Sequence, residues 1–191
     1  MIFSVLATME FRPLQRDGAS TGYFAKLCRE IISQQLGSKA ARVVSGRFLD
    51  LFPKQRITPE LILAFPEKGL RASGMSWAKA RYIKDLAEKT LDGDIKFKEL
   101  SHADDETIIR ELTKVKGIGR WTAEMFLIFT LGREDIFSFG DLGLRKSFEK
   151  LYGNRRARTQ KSMEAITRQW SPYRSYASLA LWHLRDSMMA K

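Results

Sequence analysis

The chain has 191 residues, of which 44% are hydrophobic, and 33 Lys and Arg against 22 Asp and Glu give it a net charge of +11. This length fits one domain, or two lobes that share a core, and excludes a multidomain protein. The hydrophobic fraction is sufficient for a packed interior, so the sequence is that of a folded basic protein and not of a disordered basic tail.

A single cysteine and the absence of long apolar runs limit the cellular setting. Cys28 alone cannot form an internal disulfide, a Cys-ligated zinc site or an iron–sulfur cluster. The apolar run 125–131 is much shorter than the ~20 residues that span a bilayer, and residues 1–9 lack the basic start and full apolar core of a signal peptide. We therefore expect a cytoplasmic, nucleoid-associated monomer with no membrane partner.

The spacing of apolar residues predicts helices along the whole chain. Apolar pairs four residues apart predict a first helix over 21–36, capped by Ser20 or Thr21, and Asp104 or Asp105 can cap a helix that carries Ile108. Segment 121–131 is apolar almost all round and should be a buried helix. Because no alternation with a period of two persists, the expected fold class is all-α. The other predicted helices cover residues 40–52, 77–91, 142–152, about 160–170 and 173–188.

Residues 115–123 place a Gly-x-Gly turn between an amphipathic helix and the buried helix, which predicts a helix–hairpin–helix. Gly117 and Gly119 permit positive φ and a close approach to the backbone. The amides that open the second helix can then converge on a phosphate, with Lys116 and Arg120 adding positive charge beside them. The alternative, a plain turn between helices, stays open on the turn alone.

The wider string Lys-Gly-Ile-Gly-Arg-Trp-Thr-Ala-Glu-Met (116–125), followed by Ile-Phe-Ser-Phe-Gly-Asp-Leu-Gly-Leu-Arg (136–145), resembles the signature of base-excision DNA glycosylases. Segments 31–36, 74–83 and 170–177 resemble further motifs of the 3-methyladenine DNA glycosylase II branch, in the same order. The resemblance implies one helix–hairpin–helix glycosylase domain over 1–191, with two helical lobes flanking an active-site cleft. Lobe A would comprise 1–37 and 141–191, and lobe B would comprise 38–140 with the hairpin at 113–122.

The resemblance implies that Asp141 is the catalytic aspartate. Cleavage of an N-glycosidic bond builds positive charge on the sugar, which a carboxylate beside that carbon stabilises. Asp141 can also simply cap the helix 142–152, and both roles can hold together. Asp135, the nearest other carboxylate, is interpreted as structural. Trp121 stands where a related strand-cleaving branch carries a Schiff-base lysine, so the resemblance implies a monofunctional hydrolase without lyase activity.

Aromatic side chains are the candidates for binding the damaged base. The indole of Trp121 can stack on an alkylated purine and attract its positive charge, although a tryptophan at this position can also fill the core. Other aromatics that could line the pocket are Trp77, Tyr23, Phe24 and Tyr176.

The enzyme must extrude the target nucleotide, so a side chain should fill the gap in the duplex. The resemblance makes Gln35 and Leu36 the candidates, and polar residues that end a helix are the alternative interpretation. The backbone of the DNA should be held by the hairpin residues Gly117, Gly119, Lys116, Arg120 and Thr122.

No cofactor is expected, although the family's hairpin binds a monovalent cation, Na⁺ or K⁺, through carbonyls that would here belong to Thr113, Val115 and Gly117. The sequence thus predicts an enzyme that removes alkylated purines of the 3-methyladenine type from double-stranded DNA and leaves an abasic site. Two alternatives stay open: a non-catalytic helix–hairpin–helix DNA-binding module, and a glycosylase for another damaged base.

Overall fold

The computed structural model describes residues 2–7, 9, 13–16, 22–153 and 159–189. These residues form helices without any β-strand, so the predicted all-α class is confirmed. None of the helices in this part of the chain is both long and apolar enough to cross a membrane. The α-helices are α1 (Ile2–Leu6), α2 (Tyr23–Ser33), α3 (Ser38–Leu49), α4 (Pro59–Ala64), α5 (Glu67–Ala72), α6 (Trp77–Leu91), α7 (Phe97–Leu100), α8 (Asp105–Leu112), α9 (Arg120–Phe129), α10 (Leu142–Tyr152), α11 (Gln160–Thr167) and α12 (Arg174–Met189), with short 3₁₀ turns at Pro53–Gln55 and Arg168–Trp170.

The chain divides into two compact units, and both boundaries differ from the predicted lobes. Unit 1 comprises Met1–Arg16 and Leu127–Lys191, and unit 2 comprises Asp17–Phe126. Helix α2 belongs to unit 2, instead of joining the C-terminal helices, because it packs against α3 and α6. The stretch 127–140 belongs to unit 1, where side chains of α12 hold its loop.

Helix α2 supplies one apolar face to the core of unit 2. The ring of Tyr23 packs edge-on against Phe126 at a centroid distance of 5.7 Å and also contacts Phe97. The helix ends at Ser33, three residues earlier than predicted, because Gln34 leaves the helical conformation. Its predicted caps, Ser20 and Thr21, lie outside the described residues. The buried face consists of Tyr23, Phe24, Leu27, Cys28, Ile31 and Ile32.

The predicted helix starts at α8 and α10 are confirmed by their caps. The carboxylate of Asp104 accepts the N–H of Thr107 at 2.9 Å, which decides between the two candidate aspartates for α8. Asp141 caps α10 in the same manner. The interior of α9 is buried as its composition predicts, although Trp121 and Phe129 near its two ends are 38% and 46% exposed.

The core of unit 1 is aromatic, and it anchors the loop that leads to α10. The ring of Phe137 packs against Trp170 at 5.8 Å and against Phe148 at 6.3 Å. The buried hydroxyl of Ser175 accepts the N–H of Ile136 at 2.9 Å and donates to the carbonyl of Arg133 at 2.7 Å. The loop between α9 and α10 is therefore fixed to α12.

Asp135 has the structural role that the sequence suggested. Its carboxylate accepts hydrogen bonds from the guanidinium of Arg174, at 2.7 and 3.0 Å, and from the hydroxyl of Ser171 at 2.7 Å. Burial raises the pKa of this carboxyl, but the hydrogen bonds from Arg174 and Ser171 outweigh that effect and hold the pKa below its ordinary value. The charge of Asp135 is thus used to join the loop to α12.

Replacing Ser175 by alanine should lower the free energy of unfolding by about 1–3 kcal/mol, because the buried N–H of Ile136 loses its acceptor. Chemical denaturation of both variants is the measurement, with Ser187→Ala as the control on the same helix. The exposed Ser187 hydroxyl donates to the carbonyl of His183 in its own helix, so its loss should change stability by less than about 0.5 kcal/mol. Equal effects of the two substitutions would contradict the anchoring role.

Candidate active site

The turn between α8 and α9 depends on one of its two glycines. Gly117 has a φ of +81°, and a Cβ on it would collide with the ring of Tyr82. Gly119 lies outside the left-handed region, and a Cβ on it would meet no neighbouring atom within 4 Å. Only Gly117 therefore uses the backbone freedom that was expected of both glycines, whereas Gly119 leaves open space at the start of α9.

Asp85, on α6, holds the hairpin at Lys116, a role that the motifs did not reveal. Its Oδ2 atom accepts the backbone N–H of Lys116 at 2.9 Å, and its Oδ1 atom lies 3.2 Å from Nζ of Lys89 and 3.4 Å from Nζ of Lys116. Burial raises the pKa of Asp85, but these hydrogen bonds outweigh it, so the pKa lies below its ordinary value. The sequence signal for Asp85 was the position of a carboxylate among the apolar residues on the buried face of α6.

Arg120 and Thr122, which were predicted to contact phosphate, already form hydrogen bonds with other side chains of unit 2. The guanidinium of Arg120 donates to Glu124 at 3.0 Å and to Glu106 at 3.0 Å, so a phosphate would have to displace or share these carboxylates. Thr122 is 3% exposed, and its hydroxyl oxygen accepts a hydrogen bond from the side chain of Gln34 at 3.1 Å. The contact of Thr122 with DNA stays a prediction, although its side chain is buried and bonded to Gln34.

Gln35 and Leu36 lie in the turn that follows α2. Gln35 has a φ of +56°, which is unusual for a residue other than glycine. Leu36 is 37% exposed, whereas the neighbouring Ile31 and Ile32 are fully buried. The exposed leucine is compatible with the predicted insertion into a duplex, which stays a prediction.

The aromatic candidates differ strongly in accessibility. Tyr23 and Phe24 are 1% and 4% exposed and belong to the core face of α2, so their interpretation as base-binding residues is corrected. Trp77 is 43% exposed, with the guanidinium of Arg71 5.1 Å from its ring centre. The hydroxyl of Tyr176 donates to Glu134 at 2.7 Å.

Trp121 is an exposed indole in the first turn of α9. Its assignment to the base stays a prediction.

Asp141, at the start of α10, is nearly buried and accepts two hydrogen bonds. Its Oδ1 atom accepts the backbone N–H of Leu144 at 2.7 Å and the indole N–H of Trp182 at 3.3 Å. The residue is 8% exposed, and the indole of Trp182 packs against the ring of Phe129 at 5.6 Å. Asp141 is thus a helix cap in an aromatic setting, which is compatible with both roles considered from the sequence.

Trp182, which contacts Asp141, was not among the predicted site residues, although its helical spacing indicated its position. It lies four residues after Ser178 and seven after Ser175 on α12, and both hydroxyls bond main-chain groups of the loop between α9 and α10. Residues with this spacing share one face of a helix. A tryptophan on the face that holds this loop is therefore placed to reach the aspartate at the loop's end.

Two of the three carbonyls proposed for a monovalent cation, those of Val115 and Gly117, accept hydrogen bonds. The carbonyl of Val115 accepts the N–H of Ile118 at 3.1 Å, and that of Gly117 accepts the amide of Gln34 at 2.8 Å. Each carbonyl oxygen has a second lone pair, so these bonds do not prevent binding of a cation. Carbonyl oxygens are ligands that suit Na⁺ and K⁺, and a cation at these groups stays a prediction.

The hairpin and the capped aspartate define a helix–hairpin–helix protein with one carboxylate in an aromatic setting. Residues 28–172 match the family model described as "HhH-GPD superfamily base excision DNA repair protein", and the chain belongs to this superfamily. The family resemblance inferred from the motifs is thereby confirmed.

Relatives at 33–36% identity share most of the chain. A putative DNA-3-methyladenine glycosylase of Bacillus subtilis is 35% identical over 80% of this chain, which spans 55% of that protein. DNA-3-methyladenine glycosylase 1 of Schizosaccharomyces pombe is 36% identical over 83% of this chain, which covers 71% of it. The structure of the S. pombe 3-methyladenine DNA glycosylase in complex with abasic DNA superimposes with a TM-score of 0.82 and 33% identity, covering 95% of this chain and 87% of the other.

Replacing Gly117 by alanine should lower the free energy of unfolding by about 1–3 kcal/mol, because the methyl group meets Tyr82 and φ is positive. Gly119→Ala is the matched control in the same turn, where the methyl group has open space, and it should cost less than about 1 kcal/mol. Urea unfolding of the two variants is the comparison. A Gly119→Ala cost equal to that of Gly117→Ala would contradict this assignment of the turn.

Replacing Asp85 by asparagine should destabilise the protein by about 1–3 kcal/mol at neutral pH, since the bonds to the two lysines lose their charge. Because the folded-state pKa of Asp85 lies below the ordinary value of 3.8, its contribution is complete above that pH and disappears as the pH falls through the folded-state pKa.

The stability gap between the wild type and Asp85→Asn should therefore narrow below pH 3.8. Asp92→Asn, at the exposed end of the same helix, is the control and should show little effect at any pH. A gap that stays constant into acid would show that the charge of Asp85 does not hold the hairpin.

Proposed function

We propose that this chain is a monofunctional DNA glycosylase that removes alkylated purines of the 3-methyladenine type and leaves an abasic site. The observation that carries the proposal is the carboxylate of Asp141, which is 8% exposed and oriented by the N–H groups of Leu144 and Trp182. The relatives named DNA-3-methyladenine glycosylase support the substrate class.

The chemistry follows from the charge that develops during cleavage. As the bond between C1′ and the purine nitrogen breaks, its electron pair leaves with the base and the sugar becomes positively charged. The carboxylate of Asp141 stabilises that charge, and its partial exclusion from water strengthens the effect. Water then adds its oxygen to C1′ and releases a proton to solvent, which completes a hydrolysis.

The two donors to Asp141 fix where its charge is placed. A backbone N–H at a helix N-terminus and an indole N–H both hold Oδ1, so the carboxylate cannot rotate freely. In the proposed mechanism, the carboxylate held in this way faces the sugar. The aromatic pair of Trp182 and Phe129 adds an apolar surface beside it.

Selectivity for alkylated purines would come from stacking. Alkylation makes the purine electron-poor and positively charged, so an indole face attracts it more strongly than it attracts a normal base. The exposed indole of Trp121 is the proposed stacking partner. The same charge makes the alkylated base a better leaving group, and Trp121 in place of a Schiff-base lysine favours water as the nucleophile.

The proposed partner is double-stranded DNA with damaged bases, bound by a monomer in the cytoplasm at the nucleoid. The open space at Gly119 allows phosphate to approach the amides that begin α9, and Lys116 is 76% exposed beside it. A Na⁺ or K⁺ ion on the carbonyls of Thr113, Val115 and Gly117 would add positive charge at this point. With a net charge of +11, the affinity should fall steeply with salt.

Replacing Asp141 by asparagine tests the catalytic role directly. Asparagine caps helices as well as aspartate does, so stability and DNA affinity should be retained. Release of 3-methyladenine from methylated duplex DNA, followed by chromatography of the free base, should fall by about 100-fold or more. The wild type should leave abasic strands that remain intact until alkali is added.

Asp104→Asn is the matched control, because it makes the same change at the cap of α8, where the carboxylate is exposed and accepts the N–H of Thr107. Its base release should equal that of the wild type. If neither the wild type nor the variants release a base from alkylated, deaminated or oxidised duplexes while all bind DNA equally, the protein is a DNA-binding module. If the wild type releases a different base, the substrate class is wrong.

A further inference from the structure

The turn after α2 is tied directly to the hairpin by the side chain of Gln34. Its Nε2 atom donates to the carbonyl of Gly117 at 2.8 Å and to the hydroxyl of Thr122 at 3.1 Å. The two acceptors lie on either side of the start of α9, at the Gly-x-Gly turn and in the first turn of the helix. One amide group thus bridges two elements separated by more than 80 residues in sequence.

Lys79 holds the same turn from α6. Its Nζ atom donates to the carbonyls of Ile32, at 2.8 Å, and of Gln34, at 2.7 Å. These carbonyls belong to the C-terminal end of α2, where a positive charge is favourable because the helix dipole is negative there. Burial lowers the pKa of Lys79 below its ordinary value. The backbone at Gln34 is therefore fixed on one side by Lys79 and its side chain on the other by the hairpin.

The turn that these contacts hold is conformationally unfavourable. Gln35 adopts a φ of +56°, in the left-handed region that a residue with a Cβ disfavours. Such a conformation persists where the surrounding structure imposes it. Leu36 follows immediately, and its side chain is 37% exposed. The strained residue thus places an apolar side chain on the surface beside a turn suited to grip phosphate.

We propose that Gln34 is a positioning residue that couples the segment Gln35–Leu36 to the hairpin. The segment is then correctly placed to insert into the duplex when the hairpin binds the DNA backbone. The proposal rests on the proposed function, because it assumes that this segment fills the space left by an extruded nucleotide. Its physical basis is preorganisation: a turn held in its inserting conformation does not have to be ordered when DNA binds.

A purely structural role for Gln34 predicts something different. If its amide only stabilises unit 2, its loss should lower the melting temperature and affect all DNA substrates in proportion. If it positions the inserting segment, its loss should weaken insertion at saturating protein, when every duplex is bound. The defect should also be larger for a paired base than for a base that needs no extrusion.

The variant to make is Gln34→Met, which keeps the size of the side chain and removes both hydrogen bonds. Gln55→Met is the control, because the side-chain amide of Gln55 also donates a hydrogen bond, to Asp50 at 3.1 Å, and makes no contact with the hairpin in the described structure. Gln55 lies in a different turn of unit 2 and is exposed. The melting temperature of each variant is measured first.

Insertion is read with a duplex that carries 2-aminopurine beside a tetrahydrofuran abasic analogue, because this base fluoresces more strongly when it is unstacked. Saturating wild-type protein and Gln55→Met should raise the fluorescence equally. Gln34→Met should give about half of that rise or less, although it still binds the duplex. This readout requires no base release and is therefore independent of catalysis.

The rate of base release in a single turnover supplies the second readout. Gln34→Met should slow release of 3-methyladenine from a duplex by about ten-fold, and release from a single strand by less than about two-fold. Thr122→Val removes one of the two acceptors without changing the shape of the side chain, and should give an intermediate defect. It also serves if Gln34→Met fails to fold.

The outcomes separate the two proposals. If the wild type raises no fluorescence, or if Gln34→Met and Thr122→Val raise it as much as the wild type does, the positioning role is wrong. If Gln34→Met slows base release equally from duplex and single strand and also lowers the melting temperature, Gln34 has only a structural role. If fluorescence depends on Gln34 while the wild type releases no base from any substrate, the positioning role stands and the glycosylase function fails.

Discussion

The Oδ1 atom of Asp141 is held between the backbone N–H of Leu144 and the indole N–H of Trp182, and the chemistry that we propose depends on this arrangement. A helix cap is worth about 1 kcal/mol of stability, so folding itself holds the carboxylate in place. The carboxylate of Asp141 is therefore held as rigidly as the helix end that it caps. The loop that precedes it is fixed to α12 by Ser175 and by the Asp135–Arg174 pair, which limits its freedom further.

In unit 2, the positive charges of Lys116 and Arg120 at the hairpin are paired with carboxylates. Carboxylates of Asp85, Glu106 and Glu124 pair with cations of the hairpin and its second helix. The backbone of the turn is shaped by Gly117 against Tyr82 and by the bond from Asp85 to the N–H of Lys116. Contacts within unit 2 thus fix the turn that leads into the exposed N-terminus of α9.

Local patterns carried much of the prediction from sequence. The all-α class, the buried character of α9, a cap for α8 at Asp104 or Asp105, the cap Asp141 and the family all follow from periodicity or from short motifs. Helix ends were less accurate, because α2 stops where Gln34 leaves the helical conformation and Gln35 adopts a positive φ. A pattern of apolar residues does not report such a change in the backbone.

The remaining differences come from contacts between distant parts of the chain. Burial of Tyr23 depends on Phe97 and Phe126, which no local rule brings to α2. Trp182 meets Asp141 across 41 residues. Gln34 meets Gly117 across 83 residues. Tertiary packing decides whether an aromatic ring lies in the core or on the surface, and for this reason the burial of Tyr23 and Phe24 could not be predicted from local sequence.

The central claim, that the charge of Asp141 stabilises a positively charged sugar, is tested most directly by binding and not by turnover. Affinities should be measured for two duplexes that differ at one position, a cationic pyrrolidine in place of the sugar and a neutral tetrahydrofuran. A protein complementary to the transition state should bind the cationic duplex at least about ten-fold more tightly. Asp141→Asn should abolish that preference while binding the neutral duplex as the wild type does. An unchanged preference in Asp141→Asn would contradict the account.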